Sequence, residues 1–329
     1  MQAEKLLPWQ SMLWQSVVNR KKQDRLPHAL LFTGVDGIGK KEFARHLANY
    51  LLCNSPENEV ACGHCKACRL LLAGSHPDYM QISPEEGAQQ IKIDQIRETV
   101  HFVNETALLG GYRVIVIEPA AAMNVNAANA LLKTLEEPTP DTLLILICRH
   151  GSNLPATIAS RCQKMIFLKP ERETALKWLA TTSADDASAQ TEALSLAGGA
   201  PLLARDYLIN GTVSLRRDLY DALVGLGLHQ GDPLQVAMTW EEKDIRLLFT
   251  LLLVWTRDLL RYKLTGSCDQ LINLDYDASI RKLAEKIEQN NLLEYVDMLQ
   301  KMYAQVSASL NMNRQLMLKE IFIRWVKLC

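Results

Sequence analysis

The sequence has almost no net charge and no long apolar run. Its 36 Lys and Arg residues are balanced by 37 Asp and Glu residues, which leaves a formal net charge of -1. No global basic field therefore attracts nucleic acid, so any such contact needs a local patch or partner chains. The longest apolar stretch, residues 247–255, is interrupted by Thr250 and is too short to span a bilayer. It predicts a buried helix.

Signals of secretion are also missing. The opening segment MQAEKLLPWQSMLWQ has no apolar core of the kind that a secretory signal carries. Of the eight cysteines, four are clustered and four are scattered, unlike the disulfide framework of a secreted protein. We therefore expect a protein of the reducing cytoplasm. Its length of 329 residues is sufficient for two or three domains.

Strand and helix patterns alternate over the first half of the chain. After a helical segment at 1–24, β-branched runs such as RVIVI and TLLILI predict buried strands, while KEFARHLANYLLC and NVNAANALLKTLEEP have helical spacing. This alternation predicts an α/β domain, a parallel sheet with helices on both faces. The pattern ends near residue 167, and the rest is almost entirely helical. We predict three domains, at 1–167, 168–208 and 209–329.

The segment GVDGIGKK nearly matches the phosphate-binding loop G-x-x-x-x-G-K-[ST]. Gly34, Gly37 and Gly39 permit its tight backbone, and Lys40 can offer a charge to phosphate. The last position should carry a hydroxyl that ligates Mg²⁺, but Lys41 stands there and its cation repels the metal. A plain strand–turn–helix connection that never binds nucleotide is equally compatible with this segment, so nucleotide binding stays open.

A working nucleotide site also needs an acidic residue that holds the metal and a group that orients water. The strand RVIVI is followed by Glu118 and Pro119, where working enzymes of this class usually have Asp and then Glu. Pro119 cannot orient water, and losing such a group typically costs about 10²–10⁴-fold in rate. The defects at Lys41 and at Glu118–Pro119 would meet in one site, and together they predict a hydrolase that is inactive.

Cys53, Cys62, Cys65 and Cys68 place four thiols within sixteen residues. Zn²⁺ in structural sites prefers a closed tetrahedral shell of sulfur or nitrogen ligands, and the two-residue spacings allow these thiolates to converge. We predict one structural zinc ion, with His64 as a substitute ligand that four cysteines make unnecessary. Four free thiols, or a redox pair, are the alternative. A closed shell implies stability and not catalysis.

Five motifs are specific in combination: PHALLFTGVDGIGK, CGHCKAC, HPDY, NAANALLKTLEEP and LPATIASRC. With them the chain resembles the clamp-loader subunits of bacterial DNA polymerase III, which are AAA+ proteins. The resemblance covers about residues 25–205, and the helical remainder fits by length and class. It implies a P-loop domain with a zinc-binding insertion, a small helical lid and a helical collar. It also implies a heteropentamer with delta and gamma/tau subunits, acting on the sliding clamp and primer-template DNA.

The family contains an ATP-hydrolysing subunit, gamma/tau, and a related subunit whose own nucleotide site has decayed. Two further departures add to those at Lys41 and Glu118–Pro119. Active members carry an arginine after a G-S-x stretch, where residues 199–202 read GAPL, and a threonine where residues 148–149 read CR. The four losses point to a non-hydrolysing stator within the polymerase assembly. The alternative is the active motor subunit, which would use Lys40 and Glu118.

One family motif is retained: Ser160, Arg161 and Cys162 match S-R-C. In the family this arginine reaches a neighbour's ATP site, where a guanidinium acting in trans is worth about 10³–10⁵ in turnover in well-studied cases. The resemblance thus implies that Arg161 is an arginine finger, while a surface arginine paired with an acid at a helix start is the alternative. To the polar residues of NAANALLKTLEEP, including Glu136 and Glu137, we assign no chemistry. A zinc-stabilised DNA-binding module without ring partners fits the near-neutral charge less well.

Overall fold

The computed structural model describes residues 6–307 and 313–329. Contacts within the chain group its residues into two compact units, Met1–Trp178 with Ala200–Leu203, and Leu179–Gly199 with Ala204–Cys329. The predicted boundaries at 167 and 208 divide the chain differently and stay a prediction. Of the helix expected at 1–24, residues 1–5 lie outside the described part.

The first unit contains a five-stranded parallel sheet with strand order β2-β3-β4-β1-β5. The predicted α/β architecture is confirmed. The strands are β1 (Ala29–Gly34), β2 (Tyr79–Ile82), β3 (Arg113–Ile117), β4 (Thr142–Arg149) and β5 (Gln163–Ile166). The helices are α1 (Ser11–Lys22), α2 (Lys40–Leu52), α3 (Lys66–Leu72), α4 (Ile93–Asn104), α5 (Val125–Glu136) and α6 (Ala156–Ala159), with short 3-10 turns at Pro8–Gln10 and Ala120–Ala122.

Alternate residues of the strands cover the two faces of this sheet. On one face, Leu31 and Ile115 share a buried cluster with Ile96 of α4 and Leu131 of α5. Because both faces are covered there, the central strands β1, β3 and β4 are apolar almost throughout and appear in the sequence as continuous apolar runs, whereas the edge strands β2 and β5 are only partly buried.

An aromatic cluster covers the opposite face. Phe32 of β1 lies 5.5 Å from Phe43 of α2 and 5.0 Å from Phe167, measured between ring centroids. Trp14 of α1 contacts the same Phe43 ring at 5.8 Å. Helices therefore pack on both faces, as the alternation of patterns predicted.

The start of α5 shows how local sequence fixes an element. Asn124 and Asn126 are both of a residue type that favours the N-cap, and the structure selects Asn124, whose side chain accepts a hydrogen bond of 2.8 Å from the Ala127 N–H. That bond satisfies one of the otherwise unpaired N–H groups of the first turn. The helix ends at Glu136, shortly before Pro138, which cannot continue it.

The HPDY motif forms a buried polar anchor beside β2. Asp78 is fully buried and accepts hydrogen bonds from the N–H groups of Leu108 and Leu109 at 2.8 and 2.9 Å. His76 is also buried, and its Nδ1 accepts a hydrogen bond of 3.1 Å from the Asp78 N–H. Burial lowers the pKa of His76 below its usual value of 6.5. The motif thus holds the loop that precedes β3 and needs no catalytic explanation.

The second unit is helical throughout its described part. Its helices are α8 (Ala187–Leu196), α10 (Thr212–Gly227), α11 (Pro233–Thr239), α12 (Ile245–Thr265), α13 (Asp277–Lys286), α14 (Gln289–Ser307) and α15 (Arg314–Leu328), while α7 (Arg172–Thr182) and α9 (Pro201–Ile209) contain residues of both units. The buried helix predicted at 247–255 is confirmed as part of α12. Across residues 6–307 and 313–329, no helix is both long and apolar enough to cross a membrane.

A buried arginine connects three elements of this unit. Arg216 of α10 donates to Asp275 at 2.8 and 2.5 Å, to Asn273 at 2.9 Å and to Glu192 of α8 at 3.4 Å. Its guanidinium also lies 5.0 Å from the centroid of the Tyr220 ring. Carboxylates, an amide oxygen and an aromatic ring therefore surround the buried guanidinium, and a buried ion is tolerated when it is paired in this way.

Candidate functional site

The phosphate-loop segment lies where the sequence placed it, between the end of β1 and the start of α2. Gly37 and Gly39 have φ values of 72° and 90°, in the left-handed region that side chains other than glycine rarely adopt. A Cβ on Gly37 would lie 2.5 Å from the Cβ of Leu203, and one on Gly39 would lie 2.2 Å from Cδ1 of Leu7. The two glycines are thus required by backbone geometry and by close packing.

Lys40, the residue expected to face phosphate, is directed at its own loop. Its Nζ donates hydrogen bonds to the carbonyl oxygens of Gly34 and Val35 at 2.8 and 2.6 Å and lies 3.6 Å from Oδ1 of Asp36. The side chain is buried, and burial lowers the pKa of Lys40. Two hydrogen bonds and one ion pair thus bind the ammonium group within the chain.

The rest of the loop is also closed by protein groups. The carbonyl oxygens of residues 37–39 accept hydrogen bonds from the Leu202 N–H, Trp9 Nε1 and Gln10 Nε2, at 2.9, 2.9 and 2.7 Å respectively. The N-terminal 3-10 turn and the start of α9 therefore hold the loop from two sides. This closure by residues 9, 10 and 202 had no local signal in the sequence.

The two predicted defects meet in space. The Nζ of Lys41 lies 3.5 Å from Oε2 of Glu118, the carboxylate expected to face a metal. Pro119 follows Glu118 directly at the end of β3. A second pair, Arg149 Nε with Asp36 Oδ2 at 3.7 Å, links the end of β4 to the loop. Each carboxylate at this site thus has a cationic side chain as its partner.

Cys148 and Arg149 occupy the position where active family members show threonine. Cys148 is buried, and burial raises the pKa of its thiol, so it stays neutral and offers no charge. Asp36 was not singled out from the sequence. It lies in the loop before α2, where no helical or strand periodicity marks it.

Arg161 lies two residues after the end of α6 and is held on the chain's own surface. Its Nη2 lies 2.5 Å from Oε1 of Glu136, and its Nη1 donates to the Thr157 carbonyl oxygen at 2.9 Å. The acid is the last residue of α5 and not one at a helix start. Cys162 beside it is partly buried, and this burial raises the pKa of its thiol to about 11. The contact with Glu136 was not predicted, because 25 residues separate the partners and no local pattern connects them.

The four clustered cysteines converge as predicted. All four Sγ atoms lie within 4.8 Å of one another. The Sγ–Sγ distances are 3.5 Å for Cys53–Cys62, 3.9 Å for Cys53–Cys65 and 4.0 Å for Cys62–Cys68. A tetrahedron with Zn–S bonds of about 2.3 Å requires sulfur atoms about 3.8 Å apart. The thiols therefore fit a closed four-sulfur metal site.

Backbone N–H groups support these thiols in the manner expected of metal-bound thiolates. The Cys62 N–H donates to the Cys53 sulfur at 3.3 Å, and those of Cys65 and Cys68 donate to the Cys62 and Cys65 sulfurs at 3.4 Å each. The N–H of His64, with smaller contributions, lowers the pKa of the Cys62 thiol to about 6. The His64 ring contacts the Cys62 carbonyl oxygen through Nδ1 and is not part of the cluster.

Comparison with known proteins gives consistent matches. A family model described as DNA polymerase III, delta subunit, matches residues 9–171, and a model for the C-terminal part of the DNA polymerase III delta subunit matches residues 211–327. The DNA polymerase III subunit delta′ of Pseudomonas aeruginosa is 41% identical, covering 98% of this chain and 98% of that protein. That of Escherichia coli is 32% identical, covering 96% and 94%. The DNA polymerase III subunit tau of Bacillus subtilis is 27% identical, covering 90% and 57%.

Proposed function

The chain belongs to the family of delta-prime subunits of the DNA polymerase III clamp loader, and from this membership we propose that it hydrolyses no ATP itself and completes the ATP site of a neighbouring subunit. The family match supports this reading over the alternative of an active motor subunit. We further propose that it works in the cytoplasm with delta and gamma/tau subunits, in a heteropentamer that places the sliding clamp on primer-template DNA. Residues 209–329 would form the oligomeric collar.

The contact between Lys41 and Glu118 is the observation that most directly supports the proposed loss of ATP hydrolysis. A catalytic Mg²⁺ needs an oxygen ligand at position 41 and a free carboxylate opposite. Here the carboxylate has a lysine ammonium 3.5 Å away, and the position that should supply the hydroxyl carries that same ammonium. A metal would have to displace a cation and then lack a ligand. In addition, Lys40 would have to give up three contacts within its loop before it could reach a phosphate.

This proposal is tested by ATP turnover of the purified chain at saturating Mg·ATP, alongside its Lys40→Ala variant. We expect both proteins to show only background hydrolysis. Turnover by the native chain that disappears in Lys40→Ala would refute the proposal and favour the motor subunit. The variant is the necessary comparison because it separates activity of this loop from a contaminating ATPase.

For Arg161 we propose the role of an arginine finger. The side chain belongs to the retained S-R-C motif and is partly exposed, so a neighbouring subunit could reach it. The test is a loader reconstituted with delta and gamma/tau subunits, measured with the clamp and primed DNA. Arg161→Ala should lower turnover at the neighbouring ATP site by about 10³–10⁵-fold while the complex still assembles.

The matched control for this test is Arg97→Ala. Arg97 is likewise an exposed arginine in an ion pair, with Asp94 at 3.0 Å, and it lies on α4 away from the S-R-C motif. We expect the loader with this variant to retain native turnover. Unchanged turnover with Arg161→Ala in an assembled complex would show that the motif has no catalytic role in this chain.

The cysteine cluster is proposed to bind one structural Zn²⁺. When bound, the ion would cross-link the end of α2 to the start of α3 through Cys53, Cys62, Cys65 and Cys68. Elemental analysis of the purified native protein should find one zinc per chain, and Cys62→Ser and Cys65→Ser should each lose it. Cys268→Ser, outside the cluster, should keep it. Native protein without zinc would exclude the proposal.

A further inference from the structure

We propose that Glu136 is a holding residue for Arg161, which must release this carboxylate before it can contact a neighbour's phosphate. The inference rests on the proposed role of Arg161 as an arginine finger and adds a control element to it. Glu136 is the last residue of α5, and Arg161 follows α6, so the pair also links the ends of two helices.

The contact has the geometry of a strong charge-assisted hydrogen bond. Arg161 Nη2 lies 2.5 Å from Glu136 Oε1, while Nη1 is held by the Thr157 carbonyl oxygen at 2.9 Å. Both terminal nitrogens are therefore engaged with the chain's own acceptors. A carboxylate and a phosphate offer the guanidinium the same kind of acceptor, so the two compete for the same donors.

Exposure of the pair indicates a reversible contact and not a fold-stabilising one. The Arg161 side chain is 37% exposed and that of Glu136 is 49% exposed. Ion pairs at this level of exposure change an equilibrium by at most about fivefold. A γ-phosphate carries more charge than one carboxylate, so it can displace Glu136 from the guanidinium. The contact with Glu136 nevertheless weakens the binding of Arg161 to that phosphate. Removing the carboxylate should thus favour engagement by up to about fivefold.

The chain offers a matched control next to Glu136. Glu137 carries the same charge and is also exposed, but the carboxylate that contacts Arg161 is that of Glu136. Glu136→Gln and Glu137→Gln therefore change the net charge equally. Only the first replaces the carboxylate that binds the arginine, so a general electrostatic effect would appear in both variants.

The experiment measures ATP turnover against ATP concentration in loaders reconstituted with the native chain, Glu136→Gln, Glu137→Gln, Arg161→Ala and the double variant Glu136→Gln/Arg161→Ala. Because finger engagement stabilises bound ATP, Glu136→Gln should lower KM at the neighbouring site by up to about fivefold and leave kcat unchanged. Glu137→Gln should match the native chain. The double variant should match Arg161→Ala, since Glu136 acts only through the arginine.

The outcomes separate the two claims. If Arg161→Ala leaves turnover unchanged, Arg161 is not an arginine finger and the proposed function fails. If Arg161→Ala lowers turnover but Glu136→Gln matches Glu137→Gln, or if Glu136→Gln raises KM or lowers kcat, the holding role is wrong. A measurement without the complex gives a second test: side-chain ¹⁵N relaxation of Arg161 in the isolated chain should show faster motion in Glu136→Gln and native motion in Glu137→Gln. Equal motion in all three would overturn the inference.

Discussion

Replacing Arg216 with alanine should cost far more stability than replacing the adjacent Arg217, although both arginines bind Glu192. Arg216 lies 3.4 Å from this carboxylate and is 2% exposed, whereas Arg217 lies 2.6 Å from it and is 50% exposed. The shorter contact therefore belongs to the more exposed residue. Burial and not distance should decide the size of the effect.

The magnitude follows from what each substitution leaves behind. Without Arg216, the fully buried Asn273 loses a donor to its Oδ1, the Asp275 carboxylate loses two hydrogen bonds, and the Tyr220 ring loses its cation. Breaking a buried pair by removing one partner typically costs about 3–5 kcal/mol. Without Arg217, only an exposed ion pair is lost, worth about 0–1 kcal/mol.

Urea unfolding followed by circular dichroism measures this difference. With a denaturant dependence of about 1–3 kcal/mol per molar, Arg216→Ala should lower the urea midpoint of the second unit by at least about 1 M. Arg217→Ala should shift it by a few tenths of that amount or less. Equal shifts in the two variants would refute the argument that the buried network, and not the charge itself, stabilises these helices.

Three further substitutions test individual features. Gly37→Ala should lower stability by about 1–3 kcal/mol, because φ is +72° and the new Cβ would meet Leu203; an unchanged melting temperature would contradict this. Burial lowers the pKa of His76 from 6.5, so the unfolded chain binds a proton that the folded chain does not. The contribution of neutral His76 to the free energy of unfolding is therefore fully present above pH 6.5 and is lost as the pH falls towards the pKa of the folded state. His76→Gln should accordingly reduce the difference between the urea midpoints at about pH 7.5 and about pH 5.5. Asn124→Ala should cost about 0.5–2 kcal/mol in thermal unfolding and Asn126→Ala close to nothing, since only Asn124 caps α5; equal effects would exclude the cap as the cause.

Buried strands and ligand motifs could be predicted because their determinants are local. A strand buried on both faces is an uninterrupted apolar run, and β1, β3 and β4 were found on that basis. The cysteine cluster follows from spacing within one short segment. The contact between Lys41 and Glu118 required one further rule, that all strands of a parallel sheet end at the same edge, since β4 lies between β3 and β1.

Contacts between distant polar residues could not be predicted in this way. Arg161 and Glu136 are both exposed, and many other pairs of exposed charges were equally compatible with the sequence. Arg216 gave no signal either, because its partner Asp275 is 59 residues away and a single arginine in a helix usually faces water. Such pairs depend on how elements pack, which the periodicity of one element does not specify.

Helix α2 begins at Lys40 in the phosphate-loop segment, and its C-cap is Cys53 of the cysteine cluster. Its 13 residues span about 20 Å at about 1.5 Å per residue. In most nucleotide-binding proteins the ligand itself supplies part of the folding free energy, so stability follows the cellular concentration of that ligand. Here the loop at one end is closed by hydrogen bonds within the chain, and the other end carries the four thiols proposed to bind Zn²⁺. On the proposals above, we expect the rigidity of this domain not to depend on the concentration of ATP, so that a shortage of ATP would stop the proposed motor subunits without loosening this one.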